Sequence, residues 1–359
     1  MTELAPASIE ELTEVVRETP KLLAVGARTK PRLSKVEDAV FLSTRGLSGI
    51  LEYDSSEFTF TALAGTPIRL ISAALAERGQ YLPFDPLFVD AGATLGGTVA
   101  AGLSGPGRFR YGGLRDFILG ARFVDGLGRL LRMGGKVVKN AAGFDLPKFF
   151  VGSLGRFGVL AELTFKVFPR VSAFVTVRLP YTSALEAAEM IITAFGSRWE
   201  LDALDVSAQH SAVFARIGGP APAAEALATE ILARYPKGAL LSAPDAEAFW
   251  KEVREFDWAH VNGVLVKVPL TPKVLPEFCG LLDLLDGARA HITGGCAAGF
   301  FSLPCALPKL HDLLRARCFR ALTLRGDSAL WLGSNPEPQI HAAVKAALDP
   351  SGRFPSLDS

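Results

Sequence analysis

The sequence predicts an α+β protein with two domains. Its 359 residues exceed the size of one common domain, which holds about 100–200 residues. With 49% hydrophobic and 21% charged residues, the composition excludes a disordered or collagen-like chain. Strands, short helices and glycine-rich loops run to about Pro169, and alternating strands and amphipathic helices follow. We expect a first domain over residues 1–170, a smaller α+β cap or substrate-type domain over 171–335, and a C-terminal helix and tail over 336–359 that return to the first domain.

Charge and cysteine usage exclude several classes of function. The 38 basic and 37 acidic residues give a net charge of +1, which provides no attraction for nucleic acid, so we expect no DNA or RNA partner. No stretch approaches the roughly 20 apolar residues that span a bilayer, and the start shows no secretion signal, which predicts a cytoplasmic protein. The four cysteines form no C-x-x-C pair, so we expect free thiols and no metal site.

The first elements follow from caps and periodicity. Ser8 is a suitable N-cap for a helix over residues 8–18, and a strand is expected at Leu22–Val25. The loop Gly26–Lys30 follows that strand and offers backbone amides to an anion. Two strands of a hairpin are predicted over residues 50–53 and 58–64. A helix then begins with Thr66 as N-cap and Pro67 as first helical residue, and Gly79 ends it.

Two further glycine-rich segments complete the first domain. Residues 83–113 are dense in glycine, which usually marks a close approach of the backbone to another group. A strand at 117–124, a tight turn and a returning strand at 129–133 lead into a loop over 134–145 and a short helix near 146–151. Gly152–Gly158 then precedes a strand at 159–167. In the second domain, helices are expected over 183–195, 222–234, 246–258 and 304–320, and a last helix over 338–348.

The glycine-rich loops admit two interpretations, nucleotide binding or ordinary turns, which are about equally favoured for any single loop. Three such loops in one domain favour nucleotide binding. A Rossmann motif is excluded because Gly152–Gly158 follows a helix and opens a strand, the reverse of the required order. Gly134-Gly135-Lys136 lacks the first glycine and the Ser or Thr of a Walker A loop. Nicotinamide and nucleoside triphosphate sites of these kinds therefore have no support.

Three motifs carry a family resemblance. The segments Leu82–Pro86, Gly92–Pro106 and Val138–Leu146, taken in order, resemble the FAD-binding E subunits of glycolate oxidases. These belong to the vanillyl-alcohol-oxidase/p-cresol-methylhydroxylase type (PCMH-type) of FAD-binding proteins. The resemblance covers residues 22–170 and continues more weakly through residues 249–254 and 348–354. It implies a two-subdomain FAD-binding domain followed by the cap domain.

The resemblance also implies which residues bind FAD. The pyrophosphate is expected against the amides of Gly26–Thr29 and Thr94–Thr98, and the flavin ring near Ser104–Tyr111. Gly143–Asp145 and Gly155–Val159 are expected around the ribityl and adenine side. Ala27 and Leu154 depart from the family pattern, in which glycine and glutamate are common. The complete set of predicted cofactor residues is Gly26, Ala27, Arg28, Thr29, Pro83, Asp85, Ala93, Thr94, Leu95, Gly96, Gly97, Thr98, Ser104, Gly105, Arg110, Tyr111, Asn140, Gly143, Phe144, Asp145, Gly155, Gly158 and Val159.

The attachment of FAD is expected to be non-covalent. All five histidines lie beyond residue 200, and all four cysteines lie beyond residue 278. The predicted FAD domain therefore contains neither a histidine nor a cysteine that could form a covalent bond to the flavin.

The sequence assigns no catalytic residue. Catalytic relatives carry an H-x-G-D-G-N-like motif for metal and base, whereas His291–Ala297 keeps one histidine and none of the acids. A structural role is therefore favoured over a catalytic one for His291. Arg108, Arg110 and Arg115 are candidates for positive charge near a reduced flavin, or equally for a solvated basic loop that contacts a partner.

Two functions remain from this reasoning. The favoured one is a FAD-carrying accessory subunit in a complex with a catalytic flavoprotein subunit and an iron–sulfur subunit, where a small 2-hydroxy acid such as glycolate or D-lactate is oxidised. Through such a complex, the otherwise cytoplasmic chain could also lie at the surface of the inner membrane. The alternative is a self-sufficient FAD-dependent 2-hydroxy-acid dehydrogenase. A reductase of the same fold that acts on a nucleotide sugar has no sequence feature in its favour.

Overall fold

The computed structural model describes residues 3–135, 146–334 and 338–356. The chain forms two compact units, and each unit is assembled from segments that are not contiguous in the sequence. Unit 1 consists of residues 1–103, 113–170 and 336–359, and unit 2 of residues 104–112 and 171–335. The predicted division at residue 170 therefore needs one correction, because Ser104–Gly112 groups with unit 2. The C-terminal segment groups with unit 1.

Unit 1 contains a small parallel sheet and a larger antiparallel one. The parallel sheet has the order β1-β3-β2, and the antiparallel sheet has the order β4-β5-β9-β7-β8. A two-stranded pair, β6 with β10, stands apart from both. The strands are β1 Glu3–Leu4, β2 Leu22–Val25, β3 Val40–Ser43, β4 Ile50–Asp54, β5 Thr59–Leu63, β6 Gln80–Tyr81, β7 Ile118–Val124, β8 Leu130–Gly134, β9 Val159–Lys166 and β10 Phe168–Pro169.

The helices of unit 1 are short, and their ends follow local capping. They are α1 Ile9–Glu18, α2 Ile68–Ala76, α3 Leu95–Ala101 and the C-terminal α10 Pro338–Leu348. Ser8 caps α1 by accepting the amide of Glu11, as predicted. The predicted cap of α2 was wrong: Pro67 is the N-cap, and the Thr66 hydroxyl instead donates to the carbonyls of Gly49 and Leu63.

Helix α3 was not predicted. It lies within the glycine-dense stretch, where two consecutive glycines, Gly96 and Gly97, lower helix propensity. Thr94 caps α3 by accepting the amide of Gly97, and Gly102 ends it with a left-handed φ of 61°. A Cβ on Gly96 would lie 2.8 Å from Cβ of Ala64, so the glycine allows α3 to pack closely on the antiparallel sheet.

The C-terminal tail is part of the core of unit 1. Phe354 is 2% exposed and belongs to a cluster with Leu12, Leu22 and Val159. The amide of Leu22 donates to the carbonyl of Arg353 at 2.9 Å, which extends the contacts of β2. The Arg353 guanidinium donates to the carbonyls of Gly126 and Thr19, each at 2.8 Å. Residues at both ends of the chain therefore stabilise one another.

Unit 2 is built on one nine-stranded antiparallel sheet in the order β14-β11-β13-β12-β16-β17-β15-β18-β19. Its strands are β11 Ala173–Pro180, β12 Ala203–Ser207, β13 Ala212–Gly219, β14 Ala239–Leu240, β15 Val264–Val268, β16 Arg289–Thr293, β17 Ala298–Leu303, β18 Arg320–Arg325 and β19 Trp331–Gly333. Its helices are α4 Arg108–Tyr111, α5 Ala184–Gly196, α6 Ala221–Arg234, α7 Ala243–Glu255, α8 Leu275–Leu282 and α9 Leu310–Ala316.

The two faces of this sheet differ. Val264, Val266 and Val268 of β15 contribute to a large apolar core that also contains residues of α5, α6, α8 and α9. Since side chains alternate along a strand, Leu265 and Lys267 lie on the opposite face. Helix α7 covers part of that second face, where the rings of Phe249 and Phe214 stack at 3.7 Å.

Helices α7, α8 and α9 of unit 2 differ from what the sequence predicts. Helix α7 begins and ends three residues before the predicted 246–258, because Ser242 caps it and the backbone turns left-handed at Phe256. Helix α9 covers only the centre of the predicted 304–320. Helix α8 was not predicted, although Phe278 and Leu281 on it are fully buried.

Candidate cofactor site

Two adjoining cavities in unit 1 share Ala24, Val25, Gly26, Gly97 and Ala100. Together they form a groove, called the glycine groove below. It is bounded by the end of β2, the loop after β2, one side of α3 and the loop before β9. The first cavity adds Ala27, Arg28, Thr29, Lys30, Leu33, Ser34, Thr94, Ala101 and Leu154, and the second adds Thr44, Ala64, Gly96, Ser153, Gly155, Gly158 and Leu160.

Close packing at the centre of the groove requires glycine. A Cβ on Gly26 would overlap the hydroxyl of Thr94, and a Cβ on Gly97 would lie 3.0 Å from the same oxygen. Larger side chains at these positions would occupy the space between β2 and α3. The floor of the groove is consequently backbone and small side chains, which suits a ligand that lies flat against the main chain.

The loop after β2 presents backbone amides that the protein itself does not use. Arg28 has a left-handed φ of 53°, which is uncommon for a residue with a side chain. Its guanidinium contacts Glu3 at 2.9 Å and the Phe41 ring at 4.3 Å. Within the described residues, the amides of Ala27, Arg28 and Thr29 donate to no protein acceptor. Consecutive amides of this kind can hold an anion such as a phosphate.

The amides at the start of α3 are used differently. Leu95 donates to the carbonyl of Thr66 at 2.9 Å and Gly96 to the carbonyl of Ala64 at 2.7 Å. The amide of Gly97 donates to the Thr94 hydroxyl at 3.2 Å. The first two bonds hold α3 against the segment that follows β5, and the third caps the helix. Any polar contact from this side of the groove would therefore come from the Thr94 hydroxyl more readily than from the amides of Leu95–Gly97.

Buried cations surround the first cavity. Lys30 is 8% exposed; its ammonium donates to the Thr29 hydroxyl at 2.7 Å and lies 5.0 Å from the centre of the Phe88 ring. Arg156 is fully buried and donates to the carbonyls of Leu154 and Leu33, both lining residues. Burial, with a smaller contribution from Arg32, lowers the pKa of Arg156 to about 10. Arg156 remains charged at neutral pH, so this wall of the groove favours an anionic ligand.

The structure brings many of the predicted cofactor residues together and separates others. Gly26–Thr29, Thr94, Gly96, Gly97, Gly155 and Gly158 line the groove. Ala93, Leu95, Thr98 and Val159 are buried, at 3% exposure or less, and do not line it; Pro83 and Asp85 lie in the turn after β6 and are also outside its lining. Ser104, Gly105, Arg110 and Tyr111 belong to unit 2. Asn140, Gly143, Phe144 and Asp145 lie outside the described residues.

Sequence reasoning missed several residues of the groove. Lys30 and Arg156 supply its charge, and Ala24, Ala100 and Ala101 supply small side chains. One signal was available: Gly97 and Ala101, at i and i+4, place small residues on one face of a helix. It was overlooked because no helix was predicted there.

Comparison with known proteins identifies the family of the chain. The model of a family described as FAD binding domain matches residues 3–134. The glycolate oxidase subunit GlcE of Escherichia coli (strain K12) is 33% identical over 354 residues, which cover 97% of this chain and 95% of that protein. The chain belongs to the GlcE family. FAD is accordingly its cofactor, and the backbone-lined, cation-flanked groove fits a ligand that contains phosphates.

More distant relatives are oxidoreductases of 2-hydroxy acids. D-2-hydroxyglutarate dehydrogenase of Xanthomonas citri pv. viticola is 28% identical over 72% of this chain and 56% of that protein. The glycolate oxidase subunit GlcD of Bacillus subtilis (strain 168) is 30% identical over 43% of this chain and 33% of its own length. The chain therefore spans about half and about a third of these two proteins.

The fold is shared with a solved enzyme. Alkyldihydroxyacetonephosphate synthase superposes with a TM-score of 0.68 over 98% of this chain and 76% of that chain, at 15% identity. At this identity the likeness concerns the fold alone. The predicted α+β, PCMH-type FAD-binding fold is confirmed.

His291 occupies the core of unit 2. It is 3% exposed, and its Nε2 lies 2.8 Å from Oδ2 of Asp205, which is fully buried. The Asp205 carboxylate also accepts the Thr293 hydroxyl at 2.8 Å and the amide of Gly294 at 2.9 Å. These contacts join β12 to the end of β16. This arrangement agrees with the structural role favoured for His291.

The three arginines predicted to place charge near the flavin have different surroundings. Arg110 pairs with Glu200 at 3.0 Å. Arg115 belongs to unit 1, in the turn that precedes β7. Arg108 is exposed, and its Cβ and Cδ pack near Gly294 at the turn between β16 and β17. Arg108 is thus held by its aliphatic part, which leaves its charged end for other contacts.

Of the described residues, no helix is both long and apolar enough to cross a membrane.

Proposed function

We propose that this chain is the FAD-binding subunit of a glycolate-oxidase-type complex that oxidises a small 2-hydroxy acid, glycolate or D-lactate. The observation that carries the proposal is the match to GlcE across 97% of the chain. The glycine groove supplies the physical support, because its free amides and buried cations suit a dinucleotide. When bound, FAD accepts the two electrons that the hydroxy acid gives up.

The residues of this chain hold the cofactor in the proposal. The amides of Ala27–Thr29 donate to its phosphates, while Lys30 and Arg156 balance their charge from within the wall. Gly26 and Gly97 allow the main chain to approach closely. The remaining residues expected to contact FAD, in Ser104–Tyr111 and Gly143–Asp145, stay part of the proposal.

An accessory role is proposed for the chain within the complex. A catalytic FAD subunit and an iron–sulfur subunit are its proposed partners, and the complex is proposed to act in the cytoplasm or at the inner membrane. The packing of His291 against Asp205 supports this role, because a histidine fixed in the core is poorly suited to accept a proton from a substrate. The first domain, in residues 1–170, would hold FAD without the covalent link that a histidine or cysteine could form.

A self-sufficient dehydrogenase is the second candidate. It is favoured by the likeness to D-2-hydroxyglutarate dehydrogenase, which extends over 72% of the chain. The two candidates differ in what happens when the purified chain meets its substrate.

The deciding experiment adds glycolate or D-lactate anaerobically to the FAD-loaded chain without partners. The accessory role predicts that the flavin absorbance stays unchanged until the partner subunits are added. Rapid bleaching of the isolated chain would establish the second candidate instead. Denaturing gel electrophoresis of the same sample tests the attachment, since a yellow band that survives would contradict non-covalent binding.

A further inference from the structure

Helix α5 of unit 2 is apolar on two opposite sides. One side contributes Met190 and Ile191 to the large apolar core of the unit. The other side carries Leu185, Ile192 and Phe195, which are 59%, 56% and 54% exposed. A helix that is hydrophobic all round is normally covered by protein on every side. Among the residues that the structure describes, nothing covers the outer side of α5 in this way.

Helix α7 of the same unit shows the usual arrangement. Like α5 it has 13 residues, and its core side carries Phe249 and Trp250. Its exposed residues include Glu247 and Lys251, which suit a surface in contact with water. Single apolar residues scattered over a surface need no explanation, whereas several on one side of one helix indicate an interaction site.

The three exposed apolar residues of α5 form one stripe with Glu189, called the α5 stripe below. At about 100° of rotation per residue, these four side chains fall within about 120° of the helix circumference. The stripe is about 15 Å long from Leu185 to Phe195, at about 1.5 Å of rise per residue. This length corresponds to about three turns of a second helix, and helices pack through such rows of side chains.

The α5 stripe is held in shape at both of its ends. Ser183 caps the start of α5 by accepting the amide of Glu186. At the other end, the ring of Phe195 lies 5.3 Å from the ring of Phe109, and a Cβ on Gly295 would lie 3.0 Å from it. A side chain that is already fixed loses little entropy when it binds, so Phe195 is suited to anchor a partner.

Glu189 gives the α5 stripe a negative charge. It is exposed, lies between Leu185 and Ile192, and has no ion-pair partner among the described residues. Helix α5 contains a second glutamate, Glu186, but no lysine or arginine. A carboxylate that an apolar partner covers needs a compensating charge. The surface therefore fits a partner that places a cation at this position.

Two other occupants fit this charge poorly. A second copy related by a two-fold axis would bring two α5 stripes together, so two Glu189 carboxylates would share one interface without a cation from either stripe. The surface of an anionic membrane would repel Glu186 and Glu189. A helix of a different protein chain, with apolar residues beside a basic one, satisfies both the apolar side chains and the charge.

We propose that the α5 stripe is the docking surface for a partner subunit, which covers it with an apolar helix that carries a lysine or arginine opposite Glu189. The identity of that partner as a subunit of a glycolate-oxidase-type complex rests on the proposed function. The position of the surface rests on the side chains of α5. The surface uses none of the residues of the glycine groove.

Co-expression with the catalytic FAD subunit and the iron–sulfur subunit tests the surface. The complex is purified through a tag on this chain, and the recovered subunits are quantified. Leu185→Asp and Ile192→Asp are each expected to lower the recovery about tenfold or more, because a carboxylate replaces a covered apolar side chain. Leu70→Asp is the matched control, since Leu70 is a 51% exposed leucine on α2 of unit 1, and its recovery is expected to equal that of wild type.

Two further measurements keep this result decisive. Both variants of the α5 stripe replace exposed side chains, so their FAD content and their unfolding midpoint, followed by tryptophan fluorescence, are expected to match wild type. In an otherwise unchanged complex, p-benzoylphenylalanine is substituted for Ile192 and irradiated. The crosslink is expected to join this chain to a partner subunit, at a peptide that contains a lysine or arginine.

Variants of Glu189 test the charge of the partner. The affinity for the purified partner subunits is measured by biolayer interferometry. At low salt, Glu189→Lys is expected to bind about threefold to tenfold more weakly than Glu189→Gln, and this difference should shrink at about 0.5 M NaCl because salt screens exposed charges. Equal affinity of the two variants at low salt would overturn the basic partner.

Three other results would overturn the α5 stripe as a partner surface. The first is wild-type recovery of the subunits by folded Leu185→Asp and Ile192→Asp. The second is a crosslink from position 192 to a second copy of this chain. The third is binding to vesicles of phosphatidylethanolamine and phosphatidylglycerol that Ile192→Asp abolishes while the recovery of the subunits is unchanged.

Failure of this proposal is distinguishable from failure of the proposed function. A wild-type chain that holds FAD and recovers both subunits, with no effect of the α5 variants, would overturn only the docking surface. A wild-type chain that recovers neither subunit would overturn the proposed complex, and the docking surface with it.

Discussion

Lys345 and Asp349 form an ion pair of 2.7 Å one turn apart at the end of α10, and the carboxylate of Asp349 is fully buried. The same carboxylate accepts the amides of Arg353 and Phe354, each at 2.9 Å. Lys345 also donates to the carbonyl of Arg156 at 2.6 Å. The C-terminal tail is thereby connected to the residue that supports a wall of the glycine groove.

Asp349→Asn is expected to destabilise unit 1 by about 2–4 kcal/mol, because an amide cannot replace a buried carboxylate that accepts three donors. The temperature at which bound flavin is released, followed by the rise of its fluorescence, should fall by about 5–10 °C. Asp286→Asn is the control, since Asp286 is exposed and makes no described contact. An equal release temperature in the two variants would contradict the role of Asp349.

Gly26→Ala tests the close approach of β2 to α3. Its Cβ would overlap the Thr94 hydroxyl, so FAD binding should weaken about tenfold and stability should fall by about 1–3 kcal/mol. Equilibrium dialysis of the apoprotein with FAD measures the affinity. Gly280→Ala is the matched change, because nothing lies within 4 Å of a Cβ at that helical position. FAD affinity equal to that of the control would show that the groove has room at Gly26.

A pair of variants at Arg28 distinguishes the contribution of the backbone amides to FAD binding from that of the guanidinium. Asn adopts left-handed φ readily, so Arg28→Asn should keep FAD affinity within about threefold, although the exposed pair with Glu3 is lost. Arg28→Val should weaken it much more, since a β-branched residue resists this conformation and would turn the amides of Ala27–Thr29. If both variants bind FAD equally poorly, the guanidinium is the binding group and the amides are not.

Lys267 should make the stability of unit 2 depend on pH. Its pKa is lowered to about 8 in the folded chain, against about 10.4 when unfolded, so the unfolded chain binds more protons between these values. The contribution of Lys267 to the free energy of unfolding should therefore rise with pH from about 8 to 10.4, whereas the buried thiols of Cys279 and Cys296, whose pKa values are raised to about 11 and about 12, contribute in the opposite direction. Tryptophan fluorescence reports unit 2 selectively, because all four tryptophans lie in residues 171–335.

The free energy of unfolding of wild type should therefore increase with pH relative to that of Lys267→Met, which has no titrating group at that position, whereas Lys273→Met, whose side chain is exposed, should follow the wild-type profile. Parallel pH profiles for wild type and Lys267→Met would mean that Lys267 keeps an ordinary pKa in the folded protein.

His291→Gln tests the structural role of the histidine. The loss of its contact with Asp205 should lower the unfolding midpoint of unit 2, followed by tryptophan fluorescence, while FAD content stays equal to that of wild type. The complex assembled with its partner subunits provides the second readout. If turnover falls by a thousandfold in a variant that is as stable as wild type, His291 is a catalytic residue.

Local signals allowed much of the fold to be predicted. Ser8 caps α1 as expected from its sequence context, α5 begins one residue after its predicted start, and β2 has its predicted bounds. Elements that depend on tertiary contacts were not found. Helix α3 contains Gly96 and Gly97 and is stabilised by its bonds to Ala64 and Thr66, which lie about thirty residues earlier in the chain. Propensity alone does not favour a helix there.

The site was predicted in part for the same reason. Glycine-rich loops beside strands are visible in the sequence, and the family resemblance selected Gly26–Thr29 and Gly155–Val159 among them. The buried charges Lys30 and Arg156 look like ordinary surface residues in a linear sequence. Only the folded chain reveals that Arg156 is buried and donates to the carbonyls of Leu33 and Leu154. Likewise, no local pattern shows that Ser104–Gly112 leaves one unit and joins the other.

The division of unit 1 into three segments has a consequence for how the protein is made. During synthesis on the ribosome, the loop after β2 emerges early, but Phe354 and Arg353, which complete the core beside β2, emerge last. Unit 2 is finished before unit 1 can close. FAD is therefore expected to bind only after synthesis is complete. A chain that ends before α10 is expected to contain no flavin, rather than to bind flavin with reduced affinity.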